Sequence, residues 1–99
     1  VKLMAKFKFD GQYLKDGSRV VANVKGDHIR KDRGSTVVAN LKDDHIRDGR
    51  GSTVIANLKG EDIRKERGST RIARMRDVDG DIDGPGRLVK AALWLYFVR

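Results

Sequence analysis

A 17-residue segment recurs in tandem through the middle of the chain, and this repeat limits the possible folds more than any other feature. Complete copies occupy residues 17–33, 34–50 and 51–67, and an altered copy follows over 68–84. The first two copies are identical at 12 of 17 positions. Because a fixed step indicates one structural unit used repeatedly, we expect neighbouring copies to share a core.

Each complete copy has the pattern of a β-hairpin. A run rich in β-branched residues leads through two turn residues to a short second run that contains an isoleucine. Gly26-Asp27 and Gly60-Glu61 favour a two-residue primed turn, because glycine adopts a positive φ without steric penalty. Such a turn makes the flanking residues face each other across the strands. The expected pairs in the first copy are Lys25 with His28, Val24 with Ile29 and Asn23 with Arg30.

Side chains on a strand alternate between two faces, so the repeat predicts one apolar and one basic face for each hairpin. We expect the apolar residues of the first copy to point inward, namely Val20, Ala22, Val24 and Ile29. One hairpin is marginally stable alone, so several hairpins have to bury their apolar faces together. The predicted fold class is all-β, with one short C-terminal helix as a possible addition.

Charge favours a ring of hairpins over a stack of them. In a stacked solenoid, equivalent residues of successive copies would lie about 4.8 Å apart and form columns of like charge. The columns would be Lys25, Lys42, Lys59 and Arg76; Arg30, Arg47 and Arg64; and Arg33, Arg50 and Arg67. A radial arrangement separates equivalent positions by a whole hairpin and avoids this repulsion. We therefore predict a radial ring of tandem hairpins.

The segments on either side extend the pattern. Alternating apolar residues from Val1 to Phe9, followed by the turn pair Asp10-Gly11, predict an N-terminal half-repeat over 1–16 that closes the ring. Residues 77–86 are expected to form an acidic loop. The apolar tail, 85–99, fits either a helix or a buried strand, and we favour a helix for its first half.

Composition narrows the class of protein. The 99 residues suffice for a single domain, and 22 Lys and Arg against 14 Asp and Glu give a formal charge of +8 that favours anionic partners. The absence of cysteine excludes disulfides, thiolate zinc ligands and a thiol nucleophile. The opening segment lacks the apolar stretch of a secretory signal, so we expect a cytoplasmic protein. No run approaches the ~20 apolar residues of a membrane-spanning helix.

The repeat resembles that of the bacterial proteins called four-fold beta flower proteins. The resemblance covers about residues 17–76 and consists of Gly-x-x-Val-Val-Ala, a turn, an Ile, and an Asp or Arg before the next Gly. It implies a radial ring of β-hairpins and a small bacterial protein without an established biochemical activity. Where that family has aromatic residues after the Ala, this chain has Asn23, Asn40 and Asn57.

The basic outward face is the first candidate binding surface. Six side chains would present phosphate-binding donors in a repeated geometry: Lys25, Arg30, Lys42, Arg47, Lys59 and Arg64. The asparagines between them would add further donors. An ordinary solvated surface is the competing interpretation, because residues 17–67 hold 12 basic and 8 acidic side chains, a net charge of +4. The same residues include no aromatic ring on which unpaired bases could stack.

The acidic segment is the second candidate, because its carboxylates alternate as in the first half of a D-x-D-x-D-G calcium loop. Lys90 stands where an EF-hand has its bidentate Glu, so an intact EF-hand is excluded. A weak calcium site competes here with an acidic turn that balances nearby arginines. The calcium candidates are Asp77, Asp79, Asp81 and Asp83, and we expect no other cofactor.

Evidence for catalysis in the repeat is slight. The serines that recur beside glycines are typical of turns, and neither histidine has an evident triad partner, so we do not expect an enzyme. One repeat position carries residues that could converge on a transition metal, although their place beside lysines on the outer face favours solvent. These residues are His28, His45, Asp62 and Asp79.

The C-terminal tail contains three of the six aromatic residues, Trp94, Tyr96 and Phe97. This segment either plugs the ring or packs against a second copy of the chain. We therefore predict a binding or scaffolding module of unknown ligand that associates with itself through the tail. The alternative, from a different class, is a sequence-independent binder of nucleic acid or another polyanion.

Overall fold

The computed structural model describes residues 6–99 and is mainly β, with two short helices near the C-terminus. The strands are β1 Phe7–Phe9, β2 Tyr13–Asp16, β3 Arg19–Lys25, β4 His28–Lys31, β5 Val37–Lys42, β6 His45–Asp48, β7 Val54–Lys59, β8 Asp62–Lys65, β9 Arg71–Arg74 and β10 Ile82–Asp83. The helices are α1 Met75–Asp81 and α2 Arg87–Leu93, and α2 continues into a π-helical turn, Trp94–Val98. The predicted β class and the helix in the first half of the tail are confirmed.

All ten strands belong to one open sheet in the order β10-β1-β2-β3-β4-β5-β6-β7-β8-β9. Strands β1 to β9 pair with their sequence neighbours in antiparallel fashion, as in a meander, and β10 pairs with β1 in parallel. Equivalent strands of successive repeats are therefore separated by a whole hairpin. This spacing keeps the basic columns of a stacked solenoid from forming.

The predicted register of the hairpins is confirmed. In the first repeat, Lys25 pairs with His28, Val24 with Ile29 and Asn23 with Arg30. The turn glycines have the positive φ that this register needs, +59° at Gly26 and +60° at Gly60. The half-repeat over 1–16 forms the hairpin β1-β2 within the described residues. Its first five residues, with the part of the ring-closing strand predicted there, lie outside the described residues.

The prediction of the apolar face is wrong at Val20, because a bulge lies where two hairpins meet. Between β2 and β3 the register shifts, so that Leu14 pairs with Ala22 but Lys15 pairs with Val20. A bulge places two residues opposite one and interrupts the alternation of side chains. As a result, Val20 is buried but lies apart from the main core, whereas Val21 packs against that core.

The core lies between the inward face of the sheet and the C-terminal helices. One isoleucine from each complete repeat, Ile29, Ile46 and Ile63, is fully buried, and each pairs with an alanine of the next strand. The helices contribute buried residues to the same cluster: Met75, Val78, Ala91, Ala92 and Leu93. The tail therefore packs on the apolar face of its own sheet.

The predicted acidic loop is wrong over most of its length. Residues Met75–Asp81 form α1, whose first turn is fixed by the backbone N–H of Arg74 donating to Asp77 Oδ2 at 3.0 Å. The residues after α1 then add β10 to β1. Gly84 is needed beside β10, because a Cβ atom there would collide with the Phe9 carbonyl oxygen.

Candidate anion-binding face

The outward face of the sheet is built from rows of side chains that cross from one repeat into the next. Lys25 on β3 pairs with His28 on β4, His28 pairs with Asn40 on β5, and Asn40 pairs with Arg47 on β6. The next row repeats this order one hairpin further on, with Lys42, His45, Asn57 and Arg64. The structure thus groups each lysine with the arginine of the following repeat.

The asparagines of these rows have a structural role that the sequence did not suggest. The Asn40 side-chain amide donates both of its N–H groups to loop carbonyls, those of Gly49 at 2.8 Å and Gly51 at 2.9 Å. Asn23 and Asn57 clamp the corresponding loops in the other two repeats. Because both amide donors are used, the prediction that these asparagines add donors for an anion is wrong.

The arginines of the rows differ from the asparagines, because not all of their hydrogen-bond donors have a partner. Arg30, Arg47 and Arg64 are half-buried, and in each of them Nε is buried without a hydrogen-bond partner. Within residues 6–99, none of the three forms a salt bridge. A buried donor without an acceptor costs free energy unless water or a ligand supplies one. An arginine Nε–H group without an acceptor therefore recurs at the same repeat position in three successive copies.

The lysines extend this face toward the hairpin turns. Lys25, Lys42 and Lys59 are exposed at the ends of their strands. Lys25 and Lys42 stand opposite histidines, whereas Lys59 stands opposite Asp62. All six predicted polyanion-binding residues therefore belong to the outward face, with the arginines set into the surface and the lysines at its edge.

The four calcium candidates do not converge. Asp79 Oδ1 accepts from Lys90 Nζ at 2.7 Å, and Asp81 Oδ2 accepts from the Trp94 indole at 2.7 Å. Asp77 caps α1, and Asp83 is exposed on β10. In the part of the chain that the structure describes, no three His, Asp or Glu side chains are placed to hold a metal ion. Calcium binding stays a prediction, because no cluster of ligands among the described residues supports it.

The aromatic residues of the tail are half-buried against the core, and two of them are tied to the chain by side-chain hydrogen bonds. The Trp94 indole donates to Asp81, and the Tyr96 hydroxyl donates to Asp48 Oδ1 at 3.1 Å. Burial, followed by the hydrogen bond and the charge of Asp48, raises the pKa of Tyr96 to about 12. Phe97 also packs against the core.

A second group of arginines was not predicted from the sequence as a candidate site. Arg71, Arg74 and Arg76 line a cavity of about 350 Å³ together with Glu61 and Asp62. The signal was present in the sequence, because the fourth copy departs from the repeat at residues 71 and 74. Without the pairing of β8 with β9, these departures resembled simple decay of the repeat.

Neither a family model, a curated protein nor a solved structure matches this chain. The resemblance to four-fold beta flower proteins therefore stays a prediction. Among the described residues, every helix is too short or too polar to cross a membrane.

Proposed function

We propose that this protein is a binding module for linear polyanions, which it contacts through its outward face. The observation that carries the proposal is the set of three half-buried guanidinium groups on the outward face, Arg30, Arg47 and Arg64, none of which forms a salt bridge within residues 6–99. A guanidinium group is the side chain best suited to bind sulfate or phosphate oxygens in a fixed geometry. Three equivalent groups in successive repeats supply such donors at a regular interval.

The spacing of the arginines supports a polymer over a single small anion. Arg30, Arg47 and Arg64 lie on β4, β6 and β8, two strand spacings from one another. Two spacings correspond to about 10 Å along the sheet. A polymer with regularly placed charged groups can meet all three positions. Since residues 17–67 have no aromatic ring for stacking on bases, recognition would depend on charge and be independent of sequence.

The proposed arrangement of the hairpins is radial, with the outward face on the convex side. Laid flat, ten strands would place β9 and β10 about 43 Å apart, yet only the seven residues of α1 join these strands. A helix of that length spans about 10 Å, so the sheet has to curve strongly. The overall dimensions of 35 × 34 × 18 Å are those of a disc and support this arrangement.

Retention on heparin and binding to duplex DNA, measured against salt, test the proposal. Changing Arg30, Arg47 and Arg64 to Gln should weaken binding about tenfold or more and flatten its salt dependence. The matched control changes Arg33, Arg50 and Arg67 to Gln, which removes the same charge from exposed loop positions at the same repeat step. Equal losses in both variants, or no retention of the natural chain at low salt, would overturn the proposal.

Self-association through the tail is the second candidate. The observation in its favour is that Trp94, Tyr96 and Phe97 are only half-buried, so part of their apolar surface remains open to a partner. Light scattering at increasing protein concentration tests it, and added salt should leave an apolar dimer intact. A strict monomer at high concentration would rule this candidate out.

A further inference from the structure

The cavity between the turn of the last hairpin and the start of α1 is lined by charged residues. It is a depression of about 350 Å³ that is open to solvent. Three arginines and two acidic residues line it: Arg71, Arg74, Arg76, Glu61 and Asp62. It adjoins the outward face but does not include Arg30, Arg47 or Arg64.

Three of the lining residues are departures from the repeat. Residue 71 is arginine where the complete copies have valine, residue 74 is arginine where they have asparagine, and residue 62 is aspartate where the first two copies have histidine. The pairing of β8 with β9 brings these positions together, since Asp62 pairs with Arg74 and Arg64 pairs with Arg71. The altered residues of the third and fourth copies thus converge on one place.

The arrangement of charges leaves positive charge without a partner in the chain. Glu61 is paired with Arg87 at 3.0 Å, and Asp62 lies 3.7 Å from Arg71. Among the described residues, neither Arg74 nor Arg76 takes part in a salt bridge. Arg64 and Arg71 stand directly opposite each other, and two like charges in that position repel. An anion bound between Arg71, Arg74 and Arg76 would offset the positive charge that lines the cavity.

We propose that this cavity binds the phosphate group of a small hydroxylated phosphate monoester. The guanidinium groups of Arg71, Arg74 and Arg76 would donate to the phosphate oxygens, as arginine forks do in phosphate sites. The Asp62 carboxylate would accept a hydrogen bond from a ligand hydroxyl and so favour a monoester over free phosphate. This site does not depend on the proposed polymer-binding function.

Calorimetric titration with glucose 6-phosphate, inorganic phosphate and glucose tests the site. We expect the natural chain to bind glucose 6-phosphate, to bind inorganic phosphate more weakly and not to bind glucose. The variant Arg71→Val/Arg74→Asn restores the residues of the complete repeats, so it should fold, and it should bind glucose 6-phosphate about tenfold more weakly. Asp62→Asn should weaken binding of glucose 6-phosphate but not of inorganic phosphate.

The matched control is Arg33→Gln/Arg50→Gln, which removes two positive charges from exposed loops away from the cavity. This control should bind glucose 6-phosphate like the natural chain. No binding by the natural chain, or an equal loss in both variants, would overturn the site. Heparin retention of Arg71→Val/Arg74→Asn should persist, so the two proposals can fail independently.

Discussion

The complete repeats and the altered fourth copy begin with the same kind of strand and end in different structures. In the complete copies, a turn leads to a second strand that buries an isoleucine, as Ile46 does in β6. In the fourth copy, Gly80 stands at that repeat position, and the chain forms α1 in place of a second strand. The copies that have the inward isoleucine form the second strand, and the copy that lacks it forms a helix.

The largest expected loss of stability comes from replacing the inward isoleucine, which the fourth copy lacks. Ile46→Ala should lower the free energy of unfolding by about 2–5 kcal/mol, because Ile46 is fully buried and its loss leaves a cavity. Ile72→Ala, on β9 of the fourth copy, should cost under about 1 kcal/mol, since that side chain is 38% exposed. Urea denaturation measures both. Similar losses would mean that the two regions do not differ as described.

The asparagine clamp gives the next effect in size. Asn40→Ala removes two hydrogen bonds to loop carbonyls and should destabilise the protein by about 1–3 kcal/mol. The fourth copy has Arg74 at the same repeat position, and Arg74→Ala should change stability by about 0.5 kcal/mol or less. Thermal denaturation of both variants compares the positions. An unchanged melting temperature for Asn40→Ala would contradict the clamp.

A smaller effect of opposite sign is expected at the turn of the second repeat. Asp43 has φ +55°, whereas Gly26 and Gly60 occupy the equivalent position in the other complete copies. Asp43→Gly should stabilise the protein by about 0.5–1 kcal/mol, because glycine adopts this conformation without steric cost. The reverse change, Gly60→Asp, should destabilise it by a similar amount in the same urea assay. Loss of stability in Asp43→Gly would show that the Asp43 side chain has another role.

The smallest effect concerns the attachment of the tail to the second repeat. The pKa of Tyr96 is raised to about 12 in the folded protein, above the value of about 10 for an unfolded chain. Its contribution to stability is therefore fully present below pH 10 and is lost as the pH rises through about 12. Absorbance should detect a tyrosine that ionises near this pH. Tyr96→Phe should remove that titration and reduce the fall in stability between these values.

Local patterns were sufficient to predict the hairpins. Alternation of apolar residues gave the strands, and the turn glycines gave the pairing of Lys25 with His28. These features depend on contacts between residues close in the sequence, where backbone geometry allows few alternatives. The bulge between β2 and β3 that removes Val20 from the main core was not predictable in this way, because it arises where two hairpins meet.

The sequence predicted which residues belong to the candidate binding face, but not which of them lie next to each other. The sequence identified the six basic side chains of the outward face, but it grouped each arginine with the lysine of its own hairpin. The register between hairpins places Arg47 in the row of Lys25 instead. The cavity around Arg71 and Arg74 was missed for the same reason, since it depends on pairing between two different copies.

The sequence by itself determined the unit of this protein, a 17-residue hairpin with one apolar and one basic face, because strand periodicity and turn chemistry are local. Only the tertiary structure decided how the units meet. The packing of the tail on the sheet joins residues far apart in the chain, and the bulges and the asparagine clamps form where one hairpin leads to the next. The tertiary structure also decided how far Arg30, Arg47 and Arg64 are buried, since the burial of Nε without an acceptor depends on neighbours from other strands.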